Sequence, residues 1–343
     1  MKKYNVAILG ATGAVGQEFL KLIEERNFPF NELKLLASER SAGKTIFFMG
    51  KDYIVEEATP DSFNGVQIAL FAGGSISKTL APEAAKRGAV VIDNSSAFRM
   101  DPEVPLVVPE VNPEAIKNHK GIIANPNCST IIMVMALKPV YDAAKIKRIV
   151  VSTYQAVSGA GKEGIDELTD QVKSVVENRP VEANILPSAS LPKHYQIAFN
   201  LLPQIDVFVE EDYTKEEMKM INETHKIFND YTIGITATTV RVPVYRSHSE
   251  SINIELNGPL SPEEAKQVLS KFPGVIVQDN PAEMLYPMPL YTSDSNEVFV
   301  GRIRADKTVP YGLNMWVVGD QIRKGAALNA LQIAEYMIEH NLI

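Results

Sequence analysis

The sequence predicts an α/β fold in two domains: a Rossmann-type domain on a parallel sheet, then an α+β domain on a mostly antiparallel one. Three observations predict it. Short apolar runs alternate with amphipathic helical patterns as far as Ala124, as in successive βαβ units. A glycine-rich turn joins the first such run to the first helix. Beyond about Lys147 the apolar runs lengthen and alternate in hydropathy, as strands do when one face rests on a helical layer.

In order along the chain, Tyr4 to Leu9 reads as a buried strand, and Val15, Phe19, Leu22 and Ile23 then recur at helical spacing. Leu33 to Ala37, Ile68 to Phe71, Val90 to Ile92 and Ile122 to Ala124 are further short strands. Ile76 to Arg87 reads as a helix ended by Gly88. In the second part, Arg148 to Tyr154, Ile235 to Val242, Ser251 to Leu256, Val298 to Arg304 and Leu313 to Val318 read as strands. Lys162 to Val176, Lys215 to Asn229 and Pro262 to Lys271 read as helices between them. The segment Gln321 to His340 carries Gly325, Ala326, Ala327, Ala330 and Ala334, small residues that let a helix pack closely. The expected domains are therefore residues 1–127 with 322–343, and residues 128–321.

Composition excludes several classes. The chain has 343 residues, 45% of them apolar and 22% charged, which is globular and neither disordered nor fibrous. Its net charge is −8 and it has no basic run, which argues against nucleic acid or an anionic membrane as partner. A single cysteine makes no internal disulfide, so a reducing, cytoplasmic setting is expected. Met1-Lys2-Lys3 before Val6 to Leu9 imitates a signal peptide, but Gly10, Gly13 and Gly16 interrupt the apolar stretch too early. No stretch approaches the ~20 apolar residues of a membrane span.

Gly10-Ala11-Thr12-Gly13-Ala14-Val15-Gly16 follows the first strand and opens the first helix. Glycines there permit a tight turn and close backbone approach, and the helix start offers free N–H groups to a diphosphate. Gly10, Thr12, Gly13, Ala14 and Val15 are thus the expected cofactor contacts of this loop. The spacing G-x-x-G-x-x-G differs from the usual dinucleotide fingerprint, so position and flanking pattern carry the expectation. After the second strand come Ser38, Glu39, Arg40, Ser41 and Lys44. Two hydroxyls and two cations suit a 2′-phosphate and favour NADP, whereas Glu39 would suit a free ribose hydroxyl.

Cys128 lies in Asn125-Pro-Asn-Cys-Ser-Thr130, just ahead of the apolar run Ile131 to Leu137. That places the thiol in the first turn of a buried helix, where the helix dipole favours the thiolate. A thiolate beside a nicotinamide can form a thioester and see it reduced to an aldehyde, given a proton shuttle. Of five histidines, His248 lies between two strong strands; His119, His194, His225 and His340 fall in polar loop or helix-surface contexts and read as solvated. No cluster of metal-ligand spacing occurs, so no metal is expected.

The chain resembles the aspartate-semialdehyde dehydrogenase family over essentially its whole length. The likeness is carried by the Gly10 to Gly16 loop, Leu36-Ala-Ser-Glu-Arg-Ser-Ala-Gly43, Asp93-Asn-Ser-Ser-Ala-Phe-Arg99, Asn125-Pro-Asn-Cys-Ser-Thr130, Gln155-Ala-Val-Ser-Gly159, Arg241-Val-Pro-Val244 with His248-Ser-Glu250, and Gly319-Asp-Gln321. The resemblance implies Cys128 as nucleophile, His248 as general acid/base and Gln155 as the group orienting the acyl carbon. It implies Arg241 for the substrate carboxylate, Glu216 for its amino group, and Arg99 and Lys219 for the phosphate, with Asn127 also at the substrate. On spacing alone Glu216 and Lys219 read as a surface ion pair.

For the cofactor, the resemblance adds Gly73, Gly74, Ser158, Gly159 and Gln321. It further implies a terminal helix that returns to the first domain, and a homodimer or homotetramer. The implied reaction is L-aspartyl 4-phosphate plus NADPH to L-aspartate 4-semialdehyde, phosphate and NADP⁺, in the biosynthesis of lysine, threonine, methionine and diaminopimelate. N-acetylglutamyl phosphate reductases share this layout, and Glu216 is the residue that separates the two. A catalytically silent NADP-binding sensor and a Cys–His hydrolase are the readings from other classes; the first makes the thiol cluster accidental and the second has no need of the glycine loop.

Overall fold

The structure is a computed structural model that describes residues 2–343, so Met1 of the leader-like start lies outside it. The chain forms two compact units, one running to Asn127 and including Gly325–Ile343, the other spanning Cys128–Lys324.

The first unit runs β1 (Tyr4–Leu9), α1 (Ala14–Glu25), β2 (Phe30–Ala37), the small hairpin β3 (Thr45–Phe48) and β4 (Lys51–Ile54), β5 (Glu56–Glu57), β6 (Ile68–Phe71), α2 (Ser77–Lys86), β7 (Val90–Asp93) and β8 (Ile122–Ala124). Five parallel pairings give the order β5-β2-β1-β6-β7-β8. Alternation along β1 separates the two faces. Val6 and Ile8 pack with Phe19, Leu22 and Ile23 of α1 and with Leu331 and Ala334 of the terminal helix. Ala7 and Leu9 face Leu80, Ala81 and Ala84 of α2. Both sheet faces are covered, which is why these strands read as continuous apolar runs.

The second unit runs α3 (Cys128–Ala144), β9 (Ile146–Gln155), α4 (Lys162–Val176), α5 (Lys215–Phe228), β10 (Gly234–Arg241), β11 (His248–Leu256), α6 (Pro262–Ser270), β12 (Val275–Val277), α7 (Pro289–Thr292), β13 (Val298–Asp306) and β14 (Gly312–Gly319). Its sheet has the order β10-β9-β11-β14-β13-β12. The three central pairings are antiparallel and the two outer ones parallel, so the sheet is mixed. Helix α3 packs on one face of it, with Ile131 to Leu137 fully buried. On the other face Tyr154 and Trp316 meet with ring centroids 5.4 Å apart.

The long helix expected from Gln321 to His340 is divided. A π-turn spans Arg323–Ala327, and α8 (Leu328–Glu339) follows it within the first unit. Ala330 and Ala334 are fully buried there, as their size permits. Gln321 lies outside the helix, because the Asp320 carboxylate caps the backbone N–H groups of Ile322 and Arg323 at 2.9 and 3.0 Å. No helix among the described residues is long and apolar enough to cross a membrane.

Glu250 on β11 is fully buried, with neither carboxylate oxygen hydrogen-bonded, and burial drives its pKa well above 4.5. Below pH 4.5 the acid is protonated in folded and unfolded chains alike. Above it the unfolded chain ionises while the fold keeps the proton, so this group lowers stability by about 1.4 kcal/mol per pH unit until its folded pKa is passed. Glu250→Gln removes that term. Urea titrations across pH should show the variant gaining on the parent as pH rises from 4.5, and a pH-independent difference would contradict the assignment.

Candidate active site

The first unit builds a loop suited to a diphosphate. In its strand order the direction of winding changes between β1 and β6, and ligands of such sheets bind beyond the carboxyl ends of the strands at that point. The loop Gly10 to Gly16 leaves β1 there, and Ala72-Gly73-Gly74 leaves β6. Gly10 holds a φ of +83° and donates to the Leu36 carbonyl at 2.8 Å. A Cβ at Gly16 would overlap the Gly10 carbonyl oxygen, so α1 can press against the turn only with glycine there. Thr12, Gly13 and Ala14 are exposed, and no side chain caps α1, which leaves its first N–H groups open to a phosphate.

Beyond β2, Ser38 precedes a short turn over Glu39–Ser41. Ser38, Glu39, Arg40 and Lys44 are exposed, while Ser41 is buried with Lys44 Nζ 3.5 Å from its hydroxyl. Arg99 is buried, donating from Nε to the Asn125 carbonyl at 3.0 Å and from Nη2 to that of Asn94 at 2.7 Å. Asn127 is also buried.

The second unit gathers residues far apart in sequence. Cys128 is the first residue of α3 and is half-buried. Gln155 ends β9, Arg241 ends β10 in register with it, and His248 begins β11. His248 is thus the first residue of a strand and fully buried, where a position between strands was expected. Its Nδ1 accepts the backbone N–H of Ala156 at 3.1 Å, which places the proton of the neutral ring on Nε2. Gln155 Nε2 lies 3.4 Å from His248 Nε2 and donates to Glu216 Oε1 at 3.2 Å, while its Oε1 accepts from Thr153 at 3.0 Å. Two N–H groups therefore face each other across the longer distance, and it is a packing contact.

Glu216 is only 5% exposed, which overturns the surface ion pair expected from spacing alone. The physical reason is its place in the first turn of α5 against the ends of β9 and β10: α5 packs on β10, and Gln155 bonds the carboxylate. Lys219 Nζ holds Glu216 at 2.9 Å and Asp206 at 3.1 Å. Burial works against the lysine's charge, yet these two carboxylates outweigh it and raise its pKa.

Arg241 is 3% exposed, and its Nη1 donates to the Ala156 carbonyl at 2.7 Å. Burial lowers its pKa, and the negative charges of Glu216 and Cys128 oppose that effect. Its buried Nε has no hydrogen-bond partner, an orphaned donor that a bound carboxylate would satisfy. Burial first, and the Arg241 charge second, push the His248 pKa down to about 3. A Cβ on Gly159 would fall 2.8 Å from Arg241 Nη1 and 3.4 Å from His248 Cε1. Lack of a side chain at Gly159 thus leaves room for both.

Residues 5–119 match the NAD binding domain of semialdehyde dehydrogenases, and residues 137–324 match their dimerisation domain. The aspartate-semialdehyde dehydrogenase of Aquifex aeolicus is 60% identical over 99% of both chains. The chain belongs to the aspartate-semialdehyde dehydrogenase family. It is accordingly an oxidoreductase with a dinucleotide-binding unit. Among solved structures, aspartate semialdehyde dehydrogenase II from Vibrio cholerae, complexed with ASA, is 49% identical with a TM-score of 0.93, covering 99% of each chain. The Candida albicans enzyme, solved with NADP, is 27% identical with a TM-score of 0.77 and covers all of both chains.

Several residues of this cluster carry no signal in the sequence. Asp206, in a loop before α5, shares Lys219; Thr153 holds the Gln155 amide; Ala156 acts through its backbone alone. Only the first two have polar side chains, and nothing local marks either. Three of the remaining histidines also differ from the solvated expectation. His119, His194 and His225 are half-buried, His225 bonding the Ile233 carbonyl at 2.8 Å, and only His340 is exposed.

Proposed function

We propose that this chain catalyses the reductive dephosphorylation of L-aspartyl 4-phosphate to L-aspartate 4-semialdehyde with NADPH, in lysine, threonine, methionine and diaminopimelate biosynthesis in the cytoplasm. The observation that carries the reading is the buried set Gln155, Glu216, Arg241 and His248, with Cys128 at the start of α3 acting on Arg241. Residues 1–127 with 322–343 serve as the NADP-binding domain, and residues 128–321 as the catalytic and dimerisation domain of a homodimer or homotetramer.

Cys128 Sγ attacks the C4 carbonyl, the acyl C–O bond breaks, and phosphate leaves toward Arg99 and Lys219, with Asn127 beside the acyl group. The thioester carbonyl rests against Gln155. Reduced nicotinamide supplies the hydride when bound. His248 Nε2–H donates the proton to the thiohemiacetal oxygen, for which the Nδ1 bond to Ala156 prepares it. That oxygen returns the proton to His248 Nε2 as it re-forms its carbonyl, the C–S bond breaks to give back the Cys128 thiolate, and the aldehyde departs. Arg241 clasps the substrate α-carboxylate as a fork, which lysine does poorly. Glu216 faces the amino group. Gly10, Thr12, Gly13, Ala14, Val15, Gly73 and Gly74 hold the diphosphate and nicotinamide together with Ser158, Gly159 and Gln321; Ser38, Arg40 and Ser41 hold the 2′-phosphate.

The test is a spectrophotometric assay of L-aspartate 4-semialdehyde with inorganic phosphate, run once with NADP⁺ and once with NAD⁺. Reduction of NADP⁺ in preference to NAD⁺ is expected. Turnover of N-acetylglutamate semialdehyde alone would overturn the substrate, and preference for NAD⁺ would overturn the cofactor.

A further inference from the structure

Ser247, directly before His248, has a φ of +70°, a left-handed backbone unusual for any residue but glycine, and it is fully buried. Such a conformation persists only where its surroundings over-determine it. Its N–H donates to Gln321 Oε1 at 2.9 Å. Its hydroxyl accepts from Thr292 Oγ1 at 3.1 Å and lies 3.3 Å from Ser293 Oγ.

The ladder explains why Gln321 can do this. His248 pairs with Gly319, the last rung between β11 and β14, so the chain leaving β14 passes beside the residue about to begin β11. The Gln321 side chain supplies one rung more than the backbone does. Its other end is then fixed: with the carbonyl on Ser247, the Nε2 group faces Ser158 Oγ and donates to it. Ser158 lies two residues beyond Ala156, whose N–H holds the imidazole Nδ1. One amide thus ties together the backbone that aims His248 and the turn that clamps its ring. Asp320 fixes the amide's own backbone, accepting from the N–H groups of Ile322, Arg323 and Asp294, with the Arg246 guanidinium 2.6 Å from its carboxylate.

We infer that Gln321 is a positioning residue for His248, holding the left-handed Ser247 and the Ala156–Ser158 turn in register so that the imidazole keeps one orientation and one tautomer. This rests on the proposed role of His248 as proton donor and adds to Gln321 a task independent of the dinucleotide.

The test reads the ring itself. In dinucleotide-free protein, ¹⁵N NMR of His248, identified by its loss in His248→Asn, should show one neutral tautomer with the proton on Nε2. Gln321→Ala should average the two tautomers and lower kcat by about 10²-fold, more than it raises KM, as misorientation of a reacting group does. Gln321→Glu keeps an oxygen for the Ser247 N–H and should restore the single tautomer. Thr292→Val removes one hydroxyl from around Ser247 and should act in the same direction more weakly, which covers the case of a poorly folded Gln321→Ala. Wild-type ring signals in both Gln321→Ala and Thr292→Val would overturn the inference. If the parent protein fails to turn over aspartate semialdehyde, the function falls, and the ring signals still decide the positioning.

Discussion

Cys128→Ala is expected to abolish turnover, with kcat down by about 10⁶-fold, the scale on which loss of a covalent nucleophile is felt. Dinucleotide binding should survive, because the loop from Gly10 to Gly16 belongs to the first unit and is built without the thiol. The substitution removes one sulfur from a half-buried site at a helix start, so the fold should be little disturbed. Two measurements decide the matter: single-turnover kinetics of aldehyde oxidation with phosphate, and fluorescence titration with NADPH. Turnover at the parent rate would end the covalent mechanism. Loss of both turnover and NADPH binding would point instead to a structural role for residue 128.

His248→Asn is the second large effect, expected to lower kcat by about 10²- to 10⁴-fold, the usual contribution of a positioned proton donor. The direction of its pH dependence follows from the site. Burial and the nearby Arg241 charge both disfavour the imidazolium and hold the pKa at about 3, well below the ordinary 6.5. The free enzyme should therefore show no acidic limb near pH 6.5 in kcat/KM, since the ring is already neutral and carries its proton on Nε2. Substrate anions added to the pocket would raise that pKa toward neutrality, so a limb is expected in kcat at higher pH than in kcat/KM. A limb at pH 6.5 in kcat/KM that vanishes in His248→Asn would contradict the buried, neutral ring.

Much of the fold was legible in the sequence because the rules that form it are short-range. Alternating and continuous apolar runs distinguish a strand with one face on a helix from one buried on both, and β1 and β11 differ in this respect. Gly16 is dictated by a contact only six residues back along the chain, where a Cβ would collide with the Gly10 carbonyl. Cys128 declared itself through a Pro-Asn break followed by an unbroken apolar helix, which locates a thiol at a helix start without any tertiary knowledge.

The site around that thiol was less legible. Glu216 and Lys219 have the spacing of an ordinary solvent-facing pair, and only the docking of α5 against β10 buries the carboxylate and joins it to Gln155. The family resemblance implies Gly159 as a cofactor contact, and the structure shows that the absence of a side chain there leaves room for Arg241 and His248.

What the sequence determined alone is therefore the order of the main strands and helices, the open helix start after β1 and the thiol at the start of α3. These depend on neighbours within a few residues. Strand register was decided only in three dimensions: Gln155 beside Arg241, His248 opposite Gly319, and Gln321 reaching Ser247. The reason is that cross-strand pairing joins residues separated by tens of positions, and hydropathy alternation specifies which face a side chain takes but leaves its partner on the next strand to the packing of the whole sheet.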